Sequence, residues 1–359
     1  MSEQDNFFGG FADGIPSLRK NRKNKVWLHL LLFIATSLTA VMAGSYWSNH
    51  DPMDLGNWKF GLTYAILILT FISSHEFGHY FAARIHKVDA TLPFYIPAPF
   101  QLMPFGTFGA VIKTRSAIPS RKALFDIGVA GPLAGFIISL AFLIIGLATL
   151  PPKEFIYNIH PEYMIYFGDI PGHGMHFGDT ALFTLLASVF KNPEGWLPPM
   201  NEIYHYPFLN VGWFGLFVTA LNMLPIGQLD GGHVTYAMFG KKQGRIARIV
   251  WWIIFVLGVL GILSILYYDY FTVDSPDGLY GLFKSILYPP LDYLHNNAPW
   301  LFAPWAGWLF WALITRFFIK IDHPPIGDDR PLDGKRMAIG WIAIIVLALC
   351  FSYNGIYFK

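Results

Sequence analysis

Two histidines and a glutamate stand at the end of a long apolar run, within the stretch TFISSHEFGHYFAARIH at 70–86. On a helix, His75 and His79 are four residues apart and share one face, where two imidazoles can hold one zinc ion. Glu76 lies beside them and could take a proton from water held by that metal, since zinc lowers the pKa of such water to about 7. Ionisable side chains are costly inside a membrane, so this cluster indicates a hydrolytic metal site.

A zinc ion that catalyses a reaction takes three protein ligands, so a third must come from another part of the chain. The best candidate is Asp230, within NMLPIGQLDGGH at 222–233, because it is an ionisable residue at the end of another apolar span. Pro225 ends that helix, and the glycines that follow allow the backbone to bend and approach closely. Taken alone, Asp230 fits a helix cap better. Paired with the histidines, it is better interpreted as a metal ligand.

The elements that must carry these residues are membrane spans. Hydrophobic residues make up 54% of the 359-residue chain and charged residues only 13%, whereas a soluble chain carries about 25% charged residues. We therefore predict an all-α polytopic membrane protein with about seven transmembrane helices and a short membrane-associated β-hairpin or re-entrant loop. The predicted spans are roughly 26–46, 60–84, 124–150, 208–228, 247–268, 301–319 and 337–357.

The lysines and arginines alternate between the two sides of these spans. Twenty of the 25 fall on one side and five on the other. Because such residues accumulate on the cytoplasmic side, we predict a cytoplasmic N-terminus and an external C-terminus. Residues 1–25 are predicted to form a cytoplasmic tail, and 26–359 a membrane-embedded domain. In the predicted outer loop 151–207, the apolar stretch 179–190 is too short to cross and predicts an interfacial or re-entrant helix. A second outer loop is predicted at 269–300.

Composition excludes several kinds of site and partner. Cys350 is the only cysteine, so the chain has no intrachain disulfide and no thiolate metal cluster. No basic run interleaved with aromatic residues indicates nucleic-acid binding. We therefore expect membrane lipid as the surroundings, with no nucleic-acid partner. The number of chains in the assembly stays open.

Motifs in three separate places give the sequence a family resemblance: HEFGH at 75–79, GPLAG at 131–135 and NMLPIGQLDGG at 222–232. They resemble the site-2 protease family of M50-type intramembrane zinc metalloproteases. The intervening sequence is similar to the branch that includes the chloroplast gravitropism-deficient-type proteases and their bacterial relatives. The resemblance covers about 60–245, the expected catalytic core. It implies regulated intramembrane proteolysis by a zinc-dependent endopeptidase that lacks a PDZ domain.

The resemblance also implies roles for individual residues. His75, His79 and Asp230 would be the ligands of one zinc ion per chain, and Glu76 would be the general base. Asn222 would steady the substrate backbone or the oxyanion. Transmembrane proteins are the expected substrates, and a bacterial inner membrane is the expected location, with the active site toward the cytoplasmic side. The distances of His75 and Asn222 from the starts of their spans, about 25 and 21 Å, fit that depth.

Within residues 88–122, a regular helix is excluded by Pro93, Pro97, Pro99 and Pro104, and 106–113 predict an extended strand. An ordinary cytoplasmic loop is one interpretation. The other is a membrane-dipping loop whose strand edge binds an extended substrate at Gly109 and Val111. A transmembrane helix hides its carbonyls, so a protease must hold such a substrate extended to reach them.

Gly131 and Gly135 form a small-residue pair that predicts close packing of the third span. His233 is predicted to support Asp230 or to serve helix packing alone. His173 and His176 either bind a metal ion on the outer side of the membrane or are ordinary residues of the outer loop.

Three competing functions are weighed against the protease interpretation. A prenyl-protein protease would need a later glutamate on a helix, but the later glutamates fall in the predicted outer loop. A metal-gated transporter or a non-catalytic scaffold would not explain a glutamate between two histidines.

Overall fold

The computed structural model describes residues 25–167, 169–190, 195–271, 279–328 and 330–358. These residues are mostly helical, with two small antiparallel sheets. The helices are α1 Val26–Trp47, α2 Trp58–Ile85, α3 Arg121–Ala148, α4 Glu154–Ile159, α5 Ala181–Val189, α6 Pro207–Met223, α7 Asp230–Phe239, α8 Gln243–Ile265, α9 Leu279–Asn297, α10 Gly307–Ile314 and α11 Gly334–Cys350, and the strands are β1 Phe94–Pro97, β2 Thr107–Val111, β3 Met175–Phe177 and β4 Ile356–Phe358.

Four helical stretches of the described chain are long and apolar enough to cross a membrane. They comprise α1, Leu55–Ile85 (which contains α2), α3, and Asp230–Asp269 (which contains α7 and α8). Helix α6 and the segment Gly307–Ile319 are apolar but shorter. The helical, membrane-type architecture therefore agrees with the prediction, whereas the count of seven spans is not confirmed. All but the last residue of the predicted tail, 1–25, lies outside the described residues.

Two of the predicted spans end earlier than expected. Helix α6 ends at Met223, two residues before Pro225, because proline disfavours helical backbone at the residue before it. Helix α11 ends at Cys350, and the chain continues into β4, which pairs with β3. The predicted span 337–357 therefore finishes as a strand attached to the loop 151–207.

The region 269–300, predicted as an outer loop, is largely the helix α9. Its acidic residues and its two adjacent prolines concealed the helix in the sequence. Large apolar side chains at 282, 283, 286, 287 and 294 recur at helical spacing and are exposed. Such spacing is typical of an amphipathic helix, so the segment predicted as an outer loop contains a helix that was not predicted, and its position outside the membrane stays a prediction.

The predicted strand at 106–113 is β2, and the predicted helix at 179–190 is α5. Strand β2 pairs with β1, with Phe94 opposite Val111 and Tyr95 opposite Ala110. The hairpin region is fixed to the first two helices: His29 Nδ1 of α1 lies 3.0 Å from the Pro93 carbonyl, and the Tyr64 hydroxyl of α2 donates to the Phe105 carbonyl at 3.1 Å. This region is therefore a hairpin packed on the helices, so the predicted strand is confirmed, whereas its contact with the membrane stays a prediction.

Charged side chains join the ends of three helices that the lysine and arginine pattern assigns to one side. Arg336, near the start of α11, donates to both carboxylate oxygens of Asp126 on α3, at 2.9 and 2.6 Å. His86, at the end of α2, lies 2.7 Å from the same carboxylate. These contacts bring the ends of α2, α3 and α11 together, and the predicted topology assigns the three ends to the same side.

Candidate metal centre

Three side chains from two distant parts of the sequence meet at one point. His75 and His79 lie one turn apart on α2, and Asp230 is the first residue of α7. Asp230 Oδ2 lies 3.3 Å from Nε2 of each histidine, and the two Nε2 atoms are 3.1 Å apart. We call these three residues the inner cluster. The N-cap residue of α7 is Leu229, and no side chain makes a capping hydrogen bond there. The carboxylate of Asp230 therefore does not cap the helix, and it contacts the two histidines instead.

The geometry of the inner cluster fits a tetrahedral metal ion. Two ligand atoms at about 2.0–2.1 Å from zinc, separated by a tetrahedral angle, would be about 3.3 Å apart. The three donor atoms are 3.1–3.3 Å from one another, so they can form one face of such a tetrahedron. A fourth position would remain opposite that face, as in zinc sites that carry out catalysis.

Helix α3 supports the two histidines from behind. His79 Nδ1 lies 2.6 Å from the Ile127 carbonyl and therefore donates to it, which leaves the Nε2 lone pair for a metal. A methyl group at Gly131 would overlap the imidazole of His79, and one at Gly135 would lie 3.3 Å from His75 Nδ1. The close packing predicted for the glycine pair is confirmed, and its purpose is to make room for the imidazoles.

The loop between α6 and α7 brings Asp230 to this point. Gly227 has a φ of +53°, which side chains disfavour, and its N–H donates to the Ile321 carbonyl at 2.8 Å. A methyl group at Gly231 would overlap the carbonyl of Met223 at the end of α6. The bend and the close approach predicted from these glycines are both present.

Glu76 and Asn222 lie beside the inner cluster. Glu76 is 8% exposed, and its Oε2 accepts a hydrogen bond from the backbone N–H of Ile112 at 2.9 Å. Asn222 Nδ2 is 3.5 Å from His75 Nε2. Ile112 directly follows β2, so the hairpin holds the carboxylate of Glu76 in position.

A cavity of about 580 Å³ opens next to these residues. The inner cluster, Glu76 and Asn222 line it together with Val111 of β2, whereas Gly109 does not. Of the three residues predicted to bind substrate, the structure thus brings Asn222 and Val111 to the cavity, but not Gly109. The inner cluster, Glu76 and Asn222 therefore share one cavity with the end of β2.

The cavity wall also contains a histidine that no pattern in the sequence indicated. His323 lines the cavity, and its Nε2 lies 2.8 Å from Nδ1 of His233. Burial lowers the pKa of His323 below its usual value, so this ring is neutral at pH 7. His233, considered as a support for Asp230, therefore makes its side-chain contact with a residue 90 positions away, which no local spacing reveals.

The histidine pair considered for an outer metal is not assembled as one. His176 Nδ1 lies 3.0 Å from the Gly174 carbonyl, and its ring stacks on Tyr357 with centroids 5.2 Å apart. These contacts explain His176 as part of the packing of β3 on β4.

The sequence model of Peptidase family M50 matches residues 63–262, more than half of the chain. The chain belongs to Peptidase family M50. This finding confirms the resemblance drawn from the three motifs. The matched residues include the whole inner cluster, Glu76 and Asn222.

Curated relatives are similar over the same region. The probable zinc metalloprotease EGY1, chloroplastic, of Oryza sativa subsp. japonica is 34% identical over 167 residues, which are 46% of this chain and 26% of the relative. Its Arabidopsis thaliana counterpart is 32% identical over 183 residues, 50% of this chain and 30% of the relative. The Arabidopsis thaliana probable zinc metallopeptidase EGY3, chloroplastic, is 28% identical over 288 residues, 79% of this chain and 40% of the relative.

The chain thus spans between a quarter and two fifths of the length of these relatives. No solved structure matches it. Each of the three relatives is named as chloroplastic, which gives no support to the predicted bacterial inner membrane.

Proposed function

We propose that this chain is a zinc-dependent intramembrane endopeptidase that hydrolyses peptide bonds within or near transmembrane segments of membrane proteins. The observation that carries the proposal is the meeting of His75, His79 and Asp230 beside Glu76, at a cavity between apolar helices. Membership of Peptidase family M50 and the names of the relatives support the same activity. A transporter would have no evident use for a buried carboxylate fixed beside a three-ligand metal site.

A zinc ion held by the inner cluster would act as a Lewis acid and would lower the pKa of a water molecule to about 7. Glu76 takes the proton from the attacking water and later passes it to the leaving amine. Its hydrogen bond from the N–H of Ile112 fixes one carboxylate oxygen and leaves the other free for this transfer. Because the backbone supplies the bond, the position of Glu76 does not depend on a mobile side chain.

Asn222 is proposed to stabilise the negative charge that develops on the peptide carbonyl. Its amide group lies at the cavity wall within 3.5 Å of His75 Nε2, beside the proposed metal position. A side-chain amide donates hydrogen bonds that strengthen as the oxygen becomes charged. Asn222 therefore favours the transition state over the bound substrate.

Strand β2 is proposed to hold the substrate in an extended form. It pairs with β1 along one edge, and Val111 at its end lines the cavity. A peptide added along the other edge would gain backbone hydrogen bonds and would present its carbonyls to the inner cluster. Gly109 belongs to this strand but not to the cavity wall, so its proposed contact with substrate is limited to backbone pairing.

The proposed orientation places the ends of α2, α3 and α11 in the compartment where lysines and arginines accumulate. The inner cluster lies toward that side, with residues 26–359 as the embedded domain and about 60–245 as its catalytic core. Transmembrane proteins and lipid are the proposed partners.

The proposal is tested with Glu76→Gln, which keeps the shape of the side chain but removes the base. Membrane proteins from cells with the wild-type chain and with the variant are compared, and fragments that accumulate only with the variant are candidate substrates. Purified variant should cleave such a substrate about 100- to 10,000-fold more slowly with unchanged zinc content. Glu154→Gln, outside the cavity, serves as the matched control. Cleavage by Glu76→Gln at the wild-type rate would falsify the mechanism.

A further inference from the structure

A second group of histidine and carboxylate side chains lies in the segments that precede α6. His160 follows α4, and Glu202 and His205 lie shortly before the start of α6. The Nε2 atoms of the two histidines are 2.9 Å apart, and Glu202 Oε2 lies 3.4 Å from His205 Nε2. We call these three residues the outer cluster. Its donor atoms lie close enough together to surround one ion.

The contacts of the two Nδ1 atoms show which ring nitrogen of each histidine carries the hydrogen and which carries the lone pair. His205 Nδ1 lies 2.6 Å from the carbonyl of Trp47, and a carbonyl can only accept, so Nδ1 carries a hydrogen. His160 Nδ1 lies 2.7 Å from a carboxylate oxygen of Glu162 and donates in the same way. Neutral rings held like this present two Nε2 lone pairs to each other at 2.9 Å. That arrangement is repulsive unless a cation lies between them.

Glu202 adds a third unsatisfied acceptor at the same place. The residue is 1% exposed, and its Oε1 accepts a hydrogen bond from the hydroxyl of Tyr163 at 2.8 Å. Its Oε2 is buried and has no hydrogen-bond partner. A buried carboxylate oxygen without a partner is costly, and this one faces the imidazole of His205.

A shared proton and a metal ion would satisfy this group to different extents. A proton on His160 Nε2 would bridge the two rings but would leave Glu202 Oε2 without a partner. A divalent ion would accept all three lone pairs at once. We propose that His160, Glu202 and His205 bind a divalent metal ion, for which zinc is the best match.

The surroundings of the outer cluster support zinc. Two imidazoles and one carboxylate form a zinc donor set. Each ring donates its remaining N–H to an acceptor, Glu162 or the Trp47 carbonyl. Such outer hydrogen bonds fix the tautomer and orientation of histidines that bind metals.

The metal would fasten together elements that are far apart in the sequence. Trp47 ends α1, His160 follows α4, and His205 precedes α6. Helix α6 spans 17 residues, about 25 Å, and Asn222 lies near its other end. At that distance the outer metal cannot reach the proposed reaction, so its role is to hold the outer loop and the start of α6 in place.

Metal analysis of the full chain, purified in detergent, tests this proposal. The inner cluster is first disabled with His75→Ala and His79→Ala, so that remaining zinc reports on the outer cluster. This background should still bind about one zinc or cobalt ion per chain, and adding His160→Ala should remove it. His176→Ala is the matched control, because it also removes an imidazole near the outer loop but should leave the ion bound.

Cobalt absorption distinguishes a lost ligand from a misfolded variant. His160→Cys should retain cobalt and should gain the charge-transfer band of a thiolate ligand. The background itself should show the intense visible bands of tetrahedral cobalt without any change to the outer cluster. Absence of metal from the background, or retention of metal after His160→Ala, would overturn the proposal. If the two histidines share a proton and bind no metal, the background will contain no metal.

Discussion

The inner and outer clusters have the same donor set, two histidines and a carboxylate, yet their surroundings differ. The inner cluster borders a cavity of about 580 Å³ that Glu76 and Asn222 also line. The outer cluster is not part of that cavity wall, and the ring of Tyr163 stacks on His160 with centroids 4.6 Å apart. The same ligands can thus serve catalysis or structure. A catalytic role also requires a general base and space for a substrate next to the metal.

Asp230→Ala gives the largest effect and separates the two clusters. It removes the only carboxylate of the inner cluster, so the inner zinc and peptide cleavage should both fall below detection. The outer cluster should keep about one zinc ion per chain. Elemental analysis together with a cleavage assay checks this result. Loss of all zinc would show that the clusters are not independent, and normal cleavage would remove Asp230 from the site.

Asn222→Asp sharpens the comparison, because it tests what surrounds the inner metal without removing a ligand. The change keeps the size of the side chain but replaces its N–H donors with a charged acceptor. The turnover number should fall about 100- to 1,000-fold while zinc content stays the same. Steady-state kinetics on a substrate found with Glu76→Gln measures the change. An unchanged turnover number would show that Asn222 does not stabilise the oxyanion.

Gly131→Ala tests whether the inner cluster depends on the space that α3 leaves for it. The added methyl group would overlap His79, and a displacement of the imidazole by about 1 Å should cost roughly 100-fold in cleavage rate. Gly135→Ala is the matched control, since its methyl group would lie 3.1 Å from Phe71 Cε2 and 3.3 Å from His75 Nδ1 and needs only a small adjustment. Equal effects of the two changes would contradict this account.

Glu162→Gln gives the smallest effect and concerns the outer cluster alone. The hydrogen bond from His160 holds the pKa of Glu162 below its usual value, so the side chain is a carboxylate at pH 7. Replacing it should weaken outer zinc binding about 10-fold without changing the cleavage rate. Competition with a chelator in the background without His75 and His79 measures the affinity. A slower cleavage rate would mean that the two clusters communicate.

The sequence predicts those parts of the site that depend on local spacing. His75, Glu76 and His79 lie on one helical turn, and Pro225 with its glycines marks the bend that brings Asp230 in. His323 and the outer cluster were missed because their members meet only through packing between distant segments. The same reason explains why Gly109 was placed at the cavity: the strand was correctly predicted, but its position relative to the helices was not in the sequence.

The fold was predictable to a similar extent. Long apolar runs identified α1, α2, α3 and α8, since hydrophobicity alone determines them. The ends of α6 and α11 were harder to predict, because a proline and a strand pairing end these helices before the apolar residues do. Helix α9 was missed because its acidic residues and prolines concealed its apolar face.

The pairing of β3 with β4 can form only late in the synthesis of the chain. Phe177 and its partner Ile356 are separated by almost 180 positions, so at 5–20 residues per second β3 waits about 10–40 s for β4 to be made. Trp47, His160, Glu202 and His205 have all been synthesised long before that moment. The outer cluster can therefore organise the loop 151–207 early, while its strand edge is closed only after α11 has been synthesised.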